Sequence, residues 1–297
     1  MENKRTCLSA CHTLCALVII LLMLTFPTKT ISQSLLWKIS GNGLPSPSYL
    51  YGTIHLKDKR IFEWHDSVYA RLSLCQAFAG ELDLSEDNIR KVLDYMMLPE
   101  GQTLHDRFST EEYQLVKDAV RSCSGYELAL FDRFKPATLI SLCFIGKSGE
   151  NLEASVDELL YKKAVEYGKQ VTGIETIEEQ AAILDKIPDS YVVEYFRNLD
   201  EQEEEFDRLI RCYRRADLDS LWLLMQDEES GSMLNDDLIR LRNIRMTERL
   251  IPLIRQQSAF IAIGSGHLPG NEGVIALLRK EGFAVEPERI VRSCPSP

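Results

Sequence analysis

The chain has 297 residues, of which 45% are hydrophobic and 27% are charged, so it can bury a sizeable core. Its formal net charge of −11 at pH 7 makes the surface acidic. An acidic surface repels phosphate backbones, which argues against a nucleic-acid partner.

The first feature along the chain is a targeting segment. Lys4 and Arg5 precede an apolar run at residues 14–24 and a small, polar exit at Thr30-Ile31-Ser32. This order is typical of a secretory signal. We therefore expect a signal peptide at 1–32 and a mature domain at 33–297, exported to a periplasm or to the extracellular space. Removal of three basic residues and one acidic residue would take the formal charge from −11 to −13.

An uncleaved signal would instead leave an N-terminal membrane anchor. The apolar run is shorter than the roughly 20 residues that a spanning helix needs, which disfavours that alternative. We expect no stable membrane span after signal cleavage.

The mature region then alternates between strands and helices. Apolar runs bounded by turn residues predict strands, and apolar spacing near 3.6 residues predicts helices. The predicted strands are 35–39, 48–54, 76–84, 170–174, 259–263 and 283–285. The predicted helices are 62–74, 87–98, 110–123, 135–145, 155–167, a helix capped by Thr176, a helical region at 190–255, and 273–280. The acidic run at 200–205 is interpreted as a solvated helix face.

The order of these elements indicates the fold class. At the end of the chain, a strand, a glycine loop, a helix and a strand follow one another, which is the order of elements in a βαβ unit. The long helical stretches lie between the predicted strands. We therefore predict one α/β domain with a large helical insertion.

Five cysteines remain after signal removal: Cys75, Cys123, Cys143, Cys212 and Cys294. They are odd in number and form no Cys-x-x-Cys, which argues against a cysteine zinc site. An exported protein can form one or two disulfides from them and keep at least one thiol. Burial as small apolar residues is the favoured interpretation for most, and the pairing stays open.

Two similar strings carry the main functional signal. Residues 51–56 and 263–268 each place an apolar run before Gly-x-x-His-Leu, which uses two of the five histidines, His55 and His267. Each histidine follows a predicted strand end, where sites of open α/β sheets lie. Gly52, Gly264 and Gly266 lack side chains, so a ligand can approach the backbone there.

The carboxylates at other strand ends are natural partners of these histidines. Glu81 and Glu175 both fall at the ends of predicted strands, and two histidines with one or two carboxylates can hold a divalent metal. Arg242 and Asn243 could add a cation and an amide over the site. The alternative is that each Gly-His is a turn, each glutamate a surface acid, and Arg242-Asn243 a helix-surface pair.

Other chemistries have less support. His65 and His105 have no repeat partner and are interpreted as surface or packing residues. The sequence has no Gly-x-Ser-x-Gly elbow, no recognisable cysteine–histidine pairing, no P-loop and no Rossmann fingerprint. These absences disfavour nucleophilic hydrolases and nucleotide-binding enzymes.

The ordered set of motifs resembles the TraB/GumN family, whose animal relatives include the TIKI proteases. The matching strings are Leu50 to Leu56, Gly80 to Asp83, Gly168 to Thr176, Arg242-Asn243 with Met246, Ile263 to Gly270, and the tail from Gly273 to Arg279 with Gly282-Phe283. More broadly, the chain resembles erythromycin-esterase-like and ChaN-like proteins.

This resemblance implies a duplicated strand–Gly-x-x-His core in a mixed sheet, with both motifs meeting around a divalent metal. His55, His267 and Glu81 become the implied metal or catalytic group, and Glu175, Arg242 and Asn243 become pocket residues. Manganese, cobalt and zinc are the candidate ions. Metal-dependent cleavage of a peptide or protein is the activity implied by the TIKI likeness.

Three functions therefore stay open. The leading hypothesis is an exported metal-dependent hydrolase acting on peptides, in which Glu81 completes the metal shell or acts as general base and Arg242 steadies the oxyanion. The second is a metal-independent, esterase-like hydrolase that uses histidine as general base. The third is a binding module for haem, iron or a partner protein, without turnover. The sequence leaves the substrate and the oligomeric state open.

Overall fold

The computed structural model describes residues 34–62, 65–146, 153–225 and 239–290. They belong to one compact unit of the chain. The predicted signal peptide and Cys294 lie outside the described residues. Among the helices within those ranges, none is both long and apolar enough to cross a membrane.

The described strands form one six-stranded mixed sheet. The strands are β1 (Leu36–Ser40), β2 (Ser48–Thr53), β3 (Ala77–Gly80), β4 (Gln170–Gly173), β5 (Ala259–Gly264) and β6 (Ala284–Pro287). Their order in the sheet is β4-β3-β5-β2-β1-β6. The four strands from β4 to β2 are parallel, and β1 is antiparallel to both of its neighbours. The predicted α/β class with a mixed sheet is confirmed.

The parallel part of the sheet explains the strand sequences. Every residue of β2 is buried, and all but the last residue of β5 are buried. Parallel strands covered on both faces are continuous apolar runs rather than alternating ones. Because the four strands are parallel, their carboxyl ends meet at one edge of the sheet.

The helices account for most of the remaining described chain. They are α1 (His65–Leu74), α2 (Glu86–Met96), α3 (Thr110–Ser124), α4 (Pro136–Gly146), α5 (Val156–Glu166), α6 (Ile177–Leu184), α7 (Asp189–Arg197), α8 (Leu199–Arg214), α9 (Leu218–Met225), α10 (Leu241–Gln256) and α11 (Val274–Lys280). Helices α2 to α5 lie between β3 and β4 along the chain, and α6 to α10 lie between β4 and β5. This distribution confirms the large helical part.

Three helix starts are fixed by capping boxes that the side chains make with the backbone. Ser109, Ser155 and Thr176 each accept a hydrogen bond from the amide three residues later, and the glutamate at that later position reaches back to the cap amide. Each box satisfies donors that a helix start would otherwise leave unpaired. The helix starts predicted at Thr110 and after Thr176 are confirmed.

Two predicted elements differ from the structure by more than a shift of a few residues at their ends. The strand predicted at 76–84 ends at Gly80, and Glu81 lies just beyond it. A Cβ on Gly173 would lie 2.7 Å from the Asp83 amide nitrogen, so the chain after β3 crosses the end of β4 instead of continuing the ladder. The helical region predicted at 190–255 consists of separate helices, and residues 226–238 within it lie outside the described ranges.

The described apolar side chains form two cores. The larger core covers the sheet, and a second, smaller core lies among α3, α4 and α7. A disulfide between Cys123 and Cys143 joins α3 to α4 in the second core. Cys75 and Cys212 are free thiols, so the expectation of a disulfide with leftover thiols is met.

Candidate active site

The two Gly-x-x-His motifs leave neighbouring strands at the same edge of the sheet. Strands β2 and β5 pair in parallel, with Gly52 opposite Ile263 and Thr53 opposite Gly264. A Cβ on Gly52 would lie 2.6 Å from Leu268 Cδ1, so the second motif packs directly on the first. The approach of a ligand to Gly52 stays a prediction. In this structure Leu268 and Ser265 of the second motif occupy the space beside that glycine.

Glu81 is bound into the second motif by a backbone hydrogen bond. The Gly264 amide donates to Glu81 Oε1 at 2.6 Å, and a Cβ on Gly264 would lie 3.0 Å from the same oxygen. Gly266 is buried in the short 3₁₀ helix Ser265–His267 that follows. The glycine at 264 therefore lets the carboxylate lie against the backbone.

Glu81 and Glu175 share one cation. Their strand ends are adjacent, and the Glu175 amide donates to the Glu81 carbonyl at 2.8 Å. Arg242 donates to Glu175 through Nε at 2.8 Å and through Nη2 at 2.6 Å, and its Nη2 also donates to Glu81 Oε2 at 2.8 Å. Gln180 Nε2 adds a bond of 3.1 Å to each carboxylate. Two buried acids thus lie beside one bidentate guanidinium, which is the geometry of a strong charge-assisted pair.

Electrostatics keep Glu81 ionised in this arrangement. Burial opposes the charge, but Arg242, the Gly264 amide and the His267 ring, which is itself charged at the acidic pH where Glu81 would protonate, outweigh burial and lower the pKa of Glu81 to about 2. Glu81 is therefore a carboxylate at neutral pH.

Asn243 fixes the ring of His267. Asn243 Nδ2 donates to the Glu272 carbonyl at 2.8 Å, which turns its Oδ1 toward His267 Nδ1 at 2.7 Å. Because an amide oxygen only accepts, Nδ1 carries the proton and the Nε2 lone pair faces the site. Burial lowers the pKa of His267 to about 4, so the ring is neutral at pH 7. Its Nε2 lies 3.9 Å from Glu81 Oε1, which is too long for a hydrogen bond.

His55 is held in the same way by a residue that the sequence reasoning missed. Asp157 Oδ2 lies 2.8 Å from His55 Nδ1, and Thr53 Oγ1 donates to Asp157 Oδ1 at 2.6 Å. The Asp157 carboxylate raises the pKa of His55 to about 10, although the side chain is 65% exposed and solvent weakens that attraction. At neutral pH His55 is an imidazolium in the absence of a metal.

The sequence offered little signal for Asp157 or for Gln180. Asp157 lies in the first turn of α5 beside a capping box, where acids are common for helix-dipole reasons. Gln180 lies in the first turns of α6. Only the pairing of α5 and α6 with the strand ends brings these side chains to the histidines and glutamates.

A cavity of about 230 Å³ opens beside His55 and Glu81. Asp157 and Gln180 also line it, together with apolar side chains from the sheet and from the segment after β3. Chemistry at His55 therefore has room for a bound molecule next to it.

The types of ligand atom at this site suit a metal ion, but their present separation does not. In both motif histidines Nδ1 is bound to an oxygen, which leaves Nε2 for a ligand, and this is the arrangement usual for metal-binding histidines. Yet within the described part of the chain, no three histidine, cysteine or acidic side chains lie close enough to hold a metal ion as they stand. A metal site at His55, His267 and Glu81 would therefore require these side chains to move from their present positions.

Two comparisons with known proteins find relatives along almost the whole of the described chain. The model of the TraB/PrgY/gumN family matches residues 35–287. Metalloprotease TIKI2 of Danio rerio is 25% identical over 87% of this chain and 62% of its own length. Human metalloprotease TIKI1 is 26% identical over 88% of this chain and 63% of its own length. The metalloprotease TIKI homolog of Amphimedon queenslandica is 24% identical over 89% of this chain and 63% of its own length. The chain therefore spans less than two thirds of the length of these relatives. No solved structure matches the chain.

Proposed function

This chain belongs to the TraB/PrgY/gumN family, as its motifs predicted, and we propose that it is an exported, metal-dependent hydrolase that cleaves peptides. Its relatives carry the name metalloprotease, which supports the hydrolase class. The observation that carries the proposal is the matched pair of histidines, each with Nδ1 bound to an oxygen and Nε2 left for a ligand beside an ionised glutamate.

The residues proposed to hold the ion are His55, His267 and Glu81. A bound divalent ion would lower the pKa of a coordinated water from about 16 toward about 7, which makes hydroxide available at neutral pH. The ligand atoms are imidazole nitrogens and carboxylate oxygens, which suit zinc, cobalt and manganese. Asp157 and Asn243 orient the two rings.

Glu175 and Arg242 have a supporting role in this proposal. Arg242 is 11% exposed, binds both glutamates, and helps to lower the pKa of Glu81. Since Glu81 keeps its negative charge at neutral pH, it can accept a proton or donate electron density to the ion. An N–H of Arg242 could also face an oxyanion once a substrate displaces one of its carboxylate contacts.

The proton on His55 gives this proposal a pH dependence. Binding of an ion at Nε2 requires release of that proton, so metal affinity must fall as the solution becomes more acidic. Asp157 offsets this cost, because its carboxylate strengthens the basicity of the ring nitrogen as a ligand.

Export is supported by two independent features. The N-terminal charge and hydropathy pattern is that of a secretory signal. The Cys123–Cys143 disulfide is of a kind that persists in oxidising compartments.

The test is to express residues 33–297, determine bound metal by elemental analysis and assay peptide cleavage with and without a chelator. We expect metal content near one ion per chain in the wild type, and loss of both metal and cleavage in the double variant His55→Ala/His267→Ala. His105→Ala is the matched control, because His105 is exposed and stacks only on Tyr113 in the described contacts. Unchanged metal content in the double variant would exclude these residues as ligands.

The His55–Asp157 contact favours a second candidate, a hydrolase without a metal. A histidine held by a carboxylate at 2.8 Å is the arrangement of a general base with its orienting acid, and because Asp157 raises the pKa of His55 to about 10, this chemistry would require alkaline pH, at which the ring has lost its proton. In that case hydrolysis resists the chelator and is lost in His55→Ala. Loss of hydrolysis in chelator with full recovery on addition of metal would exclude it.

A further inference from the structure

The cavity beside His55 has apolar walls. Phe78 of β3 and Ala262 of β5 form part of it, and both are at most 2% exposed. Leu82 and Leu84, which follow β3, also line it and are half-buried. Gly80 also lines the cavity.

The acidic groups of the cavity are already paired with cations. Glu81 binds Arg242 at 2.8 Å, and Asp157 binds His55 at 2.8 Å. The third acid, Glu158, lies 3.9 Å from Lys57 and accepts a hydrogen bond from the Ser155 amide.

This pairing decides which side chain the cavity suits. A cationic group would find no uncompensated carboxylate and would lose its hydration without a new partner. An anionic group would face three carboxylates. An uncharged apolar group gains from the removal of its surface from water.

The size of the cavity fits one large side chain. A protein cavity of about 150 Å³ accommodates a benzene molecule. The 230 Å³ beside His55 therefore has room for a phenylalanine or leucine side chain together with part of its backbone.

We propose that this cavity is the subsite that binds an uncharged, bulky apolar side chain of the peptide substrate, next to the bond that is cleaved. The proposal rests on the proposed function for the cleavage step. The binding step is independent of it, because the apolar walls are present whether or not the chain turns over.

The first experiment measures binding without turnover. Saturation-transfer NMR on the protein in chelator compares N-acetyl-phenylalaninamide with N-acetyl-lysinamide. We expect the phenylalanine amide to bind at least about tenfold more tightly, which is the discrimination that one apolar pocket supplies. Leu84→Asp and Leu82→Asp should each remove that preference and increase binding of the lysine amide, because each adds a carboxylate with no cation beside it.

The matched control is Leu130→Asp, which makes the same change on a leucine that is 70% exposed and does not line the cavity. It should leave both affinities unchanged. Two aspartate variants are used so that misfolding of one does not remove the test. Equal binding of the two amides by the wild type, or an unchanged preference in a folded Leu84→Asp or Leu82→Asp variant, would overturn the proposal.

The second experiment measures selectivity during cleavage. Peptides that differ at one position are supplied to the full-length mature chain with manganese, cobalt or zinc. We expect kcat/KM to be at least about tenfold higher for phenylalanine or leucine than for lysine at one position, and Leu84→Asp to reduce that ratio below about threefold. If no peptide is cleaved while the phenylalanine amide still binds selectively, the proposed function fails and the subsite stands. Cleavage that prefers lysine at every position would overturn the subsite.

Discussion

The stability of the metal-free protein should depend on pH through His267. The folded state lowers the pKa of this buried imidazole from 6.5 to about 4. Between these values the unfolded chain binds a proton that the folded chain does not bind, so stability falls as the pH falls. The contribution is fully present above pH 6.5 and is lost as the pH drops through 4. One pKa unit corresponds to about 1.4 kcal/mol, so the free energy of unfolding should decrease by about 3 kcal/mol across this window.

The His267→Asn variant removes this term. The asparagine amide nitrogen takes the place of His267 Nδ1, so it can still donate to Asn243 Oδ1 but does not titrate, and Arg242 and the Gly264 amide still favour the ionised form of Glu81. Urea unfolding at pH 7, 6, 5 and 4 in chelator gives the free energies, and His105→Asn serves as the exposed control. The advantage of the wild type over His267→Asn should shrink by about 3 kcal/mol between pH 7 and pH 4. If the two stability curves run parallel, the buried, neutral state assigned to His267 is wrong.

Three further outcomes follow from particular contacts. Arg242→Met removes the cation that two buried glutamates share, so we expect the free energy of unfolding in urea at pH 7 to fall by about 3–5 kcal/mol. A fall of less than about 1 kcal/mol would contradict the ion-pair geometry. Asp157→Asn removes the negative charge beside His55, so the pKa of His55 in an NMR titration of the metal-free protein should fall from about 10 toward 6.5. An unchanged value would show that another group raises the pKa of His55. Cys123→Ser together with Cys143→Ser opens a loop with a sequence separation of 20 residues and should cost about 3 kcal/mol, and an unchanged denaturation midpoint under oxidising conditions would argue against the disulfide.

Much of the fold could be predicted from local sequence patterns. The strands β2 and β5 are uninterrupted apolar runs, and their burial in the middle of a parallel sheet is what such runs predict. The capping residues before α3 and α6 could be read in the same way, because a cap is a contact between residues three positions apart. Short-range physics of this kind leaves a direct trace in the sequence.

The ends of the strands and the contact partners of the site residues were harder to predict from the sequence. The strand after α1 ends at Gly80, and the chain beyond it turns across Gly173 at the end of β4, which is about ninety residues away in the chain. The link from Asp157 to His55 joins residues separated by 102 positions, and Asp157 alone has the appearance of an ordinary first-turn acid. Arg242 was a candidate for an oxyanion contact, and its actual partners are two glutamates from other strand ends.

The sequence by itself determined the alternation of strands and helices, the family and the two Gly-x-x-His motifs that are the candidates for chemistry. Only the tertiary structure decided that these motifs leave adjacent parallel strands, that Asn243 and Asp157 orient their rings, and that the acids beside them are paired with cations. The physical reason is one of range. Propensity and periodicity act over a few residues, whereas protonation, ring orientation and cavity shape depend on groups that approach through space from distant parts of the chain.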